Sequence, residues 1–496
     1  MLSNTTASSN GPVSLQRSPD SDLDSVSDSD SLFGDSSKSV TLEDHSKPAT
    51  PISTEAVDHQ DDPVHGLQWT CKNDVFSLTP QWTVEPTIGA IVMTLQKAID
   101  PHKQYNVEHL WDGTYNKIYS VSYDQTDFVM RVSLPVCPRT KIESEAATLQ
   151  WVCENTNLPV PRVRSYDSSR NNPIGFEWIL MDRIDGVPLS QCWSSTTQDA
   201  KERIVKQVAG YAATAFWAQF KGVGNLYPPQ SHSPTSRPRG ERASLRHYGI
   251  PFRTAFKWTK RRLRLISADL RLKTQEISDK HHRAIAARML VLVDRLRNIE
   301  DMFFPTPEIC SDKNLALDDN ESTDEGEDIA DKEGWPYEPT MLWHDDISLD
   351  NILVDKSGIL CGIIGWECVS CLPLYEACQF PAFLQQSQDR PVEPLTPYGI
   401  TQKQLDNNQH IANYDRNLRQ HHTTLLRRLF ITEMMDKCPE WVTIFDSRKY
   451  LRDYEAAVQN CDNEFAYEIV ETWVDAVEKA ESPDKTPWHL HERLMG

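Results

Sequence analysis

Alternating apolar and polar positions mark "KIYSVSY" (117–123) and "DFVMRVSL" (127–134) as strands. The polar turn "DQTD" joins them into a predicted hairpin. The period then changes. In "RTKIESEAATLQWVCENT" (139–156), Ile142, Ala146, Leu149 and Val152 recur at the spacing of one helical face. "LPVPRV" breaks that helix, and "GFEWILMDRIDG" (175–186) reads as a buried strand running into a polar, glycine-containing connector. Beyond it the pattern is helical. "DAKERIVKQVAGYAATAFWAQF" (199–220) is an amphipathic helix that takes Trp217 and Phe220 into the core at i,i+3. A basic helix follows at 252–270, with "KRRLR" (260–264) on its wet face, then another at 279–303. Helices dominate from about 373 to 480. A β-rich front thus joins a helical back through one connector, with no internal repeat.

Charge sharpens the boundaries. The chain of 496 residues carries a net −21, but residues 1–65 and 312–338 each hold −9 of it. The rest is near neutral. The acidity therefore belongs to a Ser/Asp-rich tail and a loop, both expected to be disordered because they have too little apolar surface to offset ordering entropy. These segments are candidates for recruiting protein partners. An acidic chain argues against a nucleic-acid-binding surface. No apolar run is long enough for a membrane span. The first 37 residues hold Arg17 as their one cation outside the N-terminus, unlike a mitochondrial presequence. Eleven scattered cysteines suit reduced thiols in an intracellular, cytoplasmic setting. Cys361, Cys368, Cys371 and Cys378 read as packing residues rather than a zinc cluster.

The chemistry concentrates in "LWHDDISLDNILVD". His344-x-Asp346 is followed five residues later by Asn351. In kinase-like loops that Asp accepts the proton of the attacking hydroxyl, and that Asn binds a Mg²⁺ bridging nucleotide phosphates. His344 buttresses the loop. A second carboxylate is needed on the following strand, and "CGIIGWE" (361–367) puts Gly365 there.

Residues 342–384, together with "WDGTYNKIYSV", "FVMRVSLP", "SEAATLQWV", "LPVPRV" and "WILMDRIDGVPL", resemble the aminoglycoside phosphotransferase and choline kinase group, and within it the fungal proteins carrying that domain. The resemblance extends over about residues 100–480. It implies an α+β, bilobal protein-kinase-like fold, with an N-lobe over 66–189 and a mainly helical C-lobe over 190–490. It implies ATP and Mg²⁺ as cofactors and an unknown small-molecule acceptor. By position it makes Asp346 the catalytic base with His344 beside it, and Asn351 a metal ligand. Gly113 and Asn116 fall in the nucleotide-covering loop. Arg131 stands where the family often has a phosphate-binding Lys, and Glu145 is its helix partner, with Glu143 a near alternative. Met181 and Ile184 fall in the adenine-binding hinge. Gly365 departs from the family pattern, and Glu367, two residues on, is the candidate replacement ligand. Two readings follow: an O-phosphotransferase weakened at its metal site, or a catalytically inactive nucleotide-binding or scaffolding module.

Overall fold

The computed structural model describes residues 66–70, 78–228, 244–246, 252–304, 337–385, 388–394 and 409–494. The expected disordered tail and nearly all of the acidic loop lie outside them.

The front of the molecule is a five-stranded antiparallel sheet of β1 (Asn106–Asp112), β2 (Asn116–Tyr123), β3 (Thr126–Ser133), β4 (Val163–Asp167) and β5 (Glu177–Asp182). Its order is β1-β2-β3-β5-β4. The β2–β3 hairpin closes through Asp124 and Gln125, both at positive φ. That is the two-residue turn whose twist matches the strands.

Because side chains alternate across a strand, each strand sends one set of residues to each face. Tyr119, Val121, Met130, Val132, Trp178 and Leu180 pack with Ile91 and Leu95 of helix α1 (Ile88–Ala98). The other face meets helix α2 (Thr140–Asn155), where Ile179 and Met181 join Ile142, Ala146 and Leu149. Asn116, Arg131 and Ser133 share the strand parity of that second face. Alternation alone therefore turns these polar groups toward α2.

A connector from Arg183 to Gly186 leads into the helical half. Val187–Pro188 pairs with Val354 and Leu353 of strand β6 (Ile352–Val354), which pairs in turn with β7 (Leu360–Ile363). Helix α3 (Gln198–Trp217) is capped by the Thr197 hydroxyl and buries Ile204, Val205 and Val208. It ends three residues before the expected end. Phe220 pairs with Thr340 as part of a short strand, and Trp217 is 59% exposed, so neither forms the helical core pair expected from their spacing. Backbone pairing to a distant strand overrides the helical pattern there.

A helical hairpin of α4 (Ala255–Glu276) and α5 (Lys280–Phe303) packs with α6 (Lys449–Asn460) and α7 (Tyr467–Val477) in a second core built on Leu296, Tyr454, Val470 and Trp473. The basic run of α4 is not wholly a wet face, since Arg262 pairs with the buried Glu455. The architecture is a mixed α+β fold, β-rich in front and helical behind. No described helix is long and apolar enough to cross a membrane.

Candidate active site

The loop 344–351 links the strand Pro339–Trp343 to β6. His344 is almost fully buried and stacks edge-on against Trp366 at 4.7 Å. Its Nδ1 accepts from the Asp346 N–H at 3.2 Å, and its Nε2 lies 3.2 Å from the Ile364 carbonyl. Both bonds form at once only in the neutral Nε2–H tautomer. Burial favours the same form, holding the imidazole at about 4 although the carbonyl bond works the other way. His344 thus ties the 344–351 loop to the strand end before Gly365.

Asp346 and Asn351 are brought together. The Asn351 amide donates to Asp346 Oδ2 at 2.6 Å and to the Asp346 carbonyl at 2.9 Å. Burial raises the Asp346 pKa, the bonds from Ser348 and Asn351 oppose it, and the charges of Asp350 and Glu367 add to the rise. Asp350 itself accepts from Ser190 Oγ at 2.5 Å. Asp355 closes the hairpin turn by accepting from the backbone N–H groups of Ser357 and Ile359.

On the sheet side, both terminal nitrogens of Arg131 donate to Glu145, 14 residues away in sequence, and both partners are buried. Glu143 bonds Ser168 instead. Gly113 lies under the Trp111 ring, which an added Cβ would meet at 2.5 Å, and its N–H donates to the Asn116 carbonyl at 2.8 Å. Trp111 is 61% exposed, so its ring can turn aside and the backbone does not itself demand glycine there. Met181 is buried in β5, and Ile184 of the connector packs over Gly362.

Glu367 joins the two halves. Asn116 Nδ2 donates to both of its carboxylate oxygens, at 3.0 and 2.9 Å. Lys141 Nζ lies 3.0 Å from Oε2, and Arg131 Nη1 3.5 Å from it. Burial alone would raise the Glu367 pKa, but the charges of Lys141 and Arg131 and the bonds from Lys141 and Asn116 outweigh it and hold the carboxyl at about 2. Lys141 is the residue that sequence reasoning missed. It lies one helical turn before Glu145, so i,i+4 spacing on α2 was the available signal.

Gly365 has φ +80, and an added Cβ would meet Asn351 Nδ2 at 2.8 Å and Oδ1 at 3.1 Å. The donor set does not fit the Mg²⁺ site that the resemblance implies. Asn351 bonds Asp346 through its Nδ2, which leaves Oδ1 as its one candidate ligand atom, position 365 supplies no oxygen, and Glu367 is engaged by the sheet side. Among the described residues no group of three or more His, Cys, Asp or Glu side chains is arranged to hold a metal ion.

Among known proteins, the chain is similar to a subtelomeric hrmA-associated cluster protein of Aspergillus fumigatus, 31% identical over 125 residues, a quarter of each chain. It is also similar to the altered inheritance of mitochondria protein 9 of Meyerozyma guilliermondii, 24% identical over 25% of this chain and 21% of that one. The matched stretches thus span about a quarter of these relatives. Of solved structures, aminoglycoside phosphotransferase APH(4)-Ia aligns with 78% of this chain and 99% of its own at a TM-score of 0.37 and 15% identity. The profile of the phosphotransferase enzyme family matches residues 106–376, more than half of the chain. That span runs from the first strand of the sheet to just past the Asp346 loop and Glu367, and the chain belongs to this phosphotransferase family.

Proposed function

We propose that the protein binds a nucleotide between its two lobes and transfers a phosphoryl group to the hydroxyl of a small molecule. ATP and Mg²⁺ are the donor and the metal that the family implies. The observation that carries this reading is the Asp346–Asn351 pair, fixed by neutral His344 and within reach of the charge of Glu367, which itself meets Arg131 of the assembled Arg131–Glu145 pair. A carboxylate with a raised pKa is suited to accept a proton from an attacking hydroxyl. Arg131 with Glu145 holds the sheet against α2, which shapes the space under the Gly113 turn. Met181 and Ile184 line the connector side, where backbone groups would meet the base. The neutral helical half supplies the acceptor surface.

A second reading is a nucleotide-binding module that does not transfer phosphate. Gly365 favours it, because the charge that develops in phosphoryl transfer lacks one neutralising partner. The two readings separate in one experiment. ATP turnover is measured with and without Mg²⁺, over a panel of hydroxyl compounds, for the natural protein and Asp346→Asn. Turnover that falls about 10²-fold or more in the variant supports transfer. Nucleotide binding with no turnover supports the module, and turnover indifferent to Asp346 removes Asp346 as the base.

Cys153, Cys192, Cys361, Cys368, Cys371, Cys378, Cys438 and Cys461 are free thiols among the described residues, which supports a reducing intracellular compartment. Relatives that carry a mitochondrial name leave the organelle to direct imaging.

A further inference from the structure

The position that the family assigns to a phosphate-binding cation holds Arg131, but its fork is committed to Glu145. Lys141 is differently placed. It is 8% exposed, and its ammonium meets the Asn116 Oδ1 at 3.3 Å, the Glu367 carboxylate at 3.0 Å and the Tyr115 ring at 5.5 Å. No carboxylate of the sheet or of α2 lies within ion-pair distance of it among the described residues. Asn116 is oriented to match. Its Oδ1 accepts from Ser133 Oγ at 2.8 Å and from Lys141, which leaves its Nδ2 to point at Glu367.

Beneath the Gly113 turn there is therefore a receptor for one anion, built from an ammonium, an amide N–H₂ and the edge of a guanidinium. What fills it is a carboxylate from the opposite half of the molecule, 251 residues from Asn116. A phosphate oxygen accepts the same three donors with more charge.

We propose that Lys141 and Asn116 are the phosphate-binding pair of this chain, and that Glu367 is an internal stand-in which nucleotide phosphate displaces. This rests on the reading of the cleft as a nucleotide site. Glu367 then competes with the ligand for Lys141, so the natural protein binds nucleotide more weakly than its cleft allows.

The test is ADP affinity in the presence of EDTA, where no metal role of Glu367 contributes, with inorganic tripolyphosphate as a second probe. Glu367→Gln is expected to bind ADP at least about tenfold more tightly than the natural protein, and Lys141→Met at least about tenfold more weakly. Unchanged or weaker ADP binding by Glu367→Gln overturns the proposal and leaves the nucleotide reading standing. If Glu367→Gln gains tripolyphosphate binding but no form binds ADP, the anion site stands and the nucleotide reading falls. If no form binds either probe, both fall. A measurement on the natural protein covers the case of a variant that fails to fold. An acyl-phosphate derivative of ADP transfers its acyl group to the lysine nearest the phosphate, releasing ADP. Mass spectrometry is expected to find the new amide on Lys141, and acylation confined to other lysines overturns the assignment.

Discussion

The Asn351 side-chain amide donates to the Asp346 carboxylate at 2.6 Å, so the residue expected to hold a metal also holds the residue expected to act as base. Asn351→Ala removes this donor and leaves the fold of the loop to His344. Phosphoryl transfer is expected to fall about 10²-fold or more, the scale of losing one such donor. Metal-free ADP affinity is expected to stay within about twofold, which separates a role in transfer from one in binding. Titration calorimetry beside single-turnover kinetics makes the comparison.

His344 gives stability a defined pH dependence. Its folded-state pKa is held at about 4, below the 6.5 of the free side chain, so the unfolded chain binds a proton that the native protein refuses. Stability from this group is complete above pH 6.5 and is lost as pH falls toward 4, by about 3 kcal/mol in total. Unfolding by urea at several pH values, for the natural protein and His344→Gln, checks this. A variant with the same acid slope as the natural protein would falsify it.

Arg131 and Glu145 are both buried, and breaking one half strands the other. Arg131→Met is expected to cost about 3–5 kcal/mol. Arg131→Met combined with Glu145→Met is expected to recover most of that, because no charge is left without its partner. Thermal denaturation of the single and double variants decides whether the pair matters as a pair or as two independent contacts.

Position 365 discriminates between side chains. At φ +80 aspartate is among the better tolerated residues, whereas a β-branched residue is not. Gly365→Asp is expected to lose about 1 kcal/mol, with Asn351 rotating to make room, and to gain Mg²⁺-dependent ADP affinity. Gly365→Val is expected to lose about 3 kcal/mol and gain nothing. Melting temperature and ADP titration with and without Mg²⁺ read both effects. No gain of metal dependence in the aspartate variant means that position 365 is not where a metal ligand is missing.

The parts of the site that were legible are local ones. The hairpin 117–134 follows from alternation and a turn, and it fixes which face Arg131 takes. The helix with Ile142, Ala146 and Leu149 follows from its period, and Glu145 lands opposite Arg131 as a result. The His344–Asp346–Asn351 spacing survives because one loop carries all three. What was not legible depends on long-range closure. Nothing near residue 367 announces Asn116 and Lys141 as its partners, since the pairing exists only once the two halves meet. The ending of α3 was misjudged for the same reason. Apolar spacing runs on through Phe220, but the chain leaves the helix to pair with Thr340, far away in sequence.

The pairing of Val187–Pro188 with β6 confines how the molecule can open. The segment that descends from the sheet is stitched to the strand that begins next to Asn351, and Ile184 is seated on Gly362 of the adjoining strand. Any swing of the upper half must therefore bend within the few residues between Asp182 and Val187. A shift of those residues pulls on the same backbone that carries Asn351, so a change in the connector reaches the 344–351 loop without any relay of side chains.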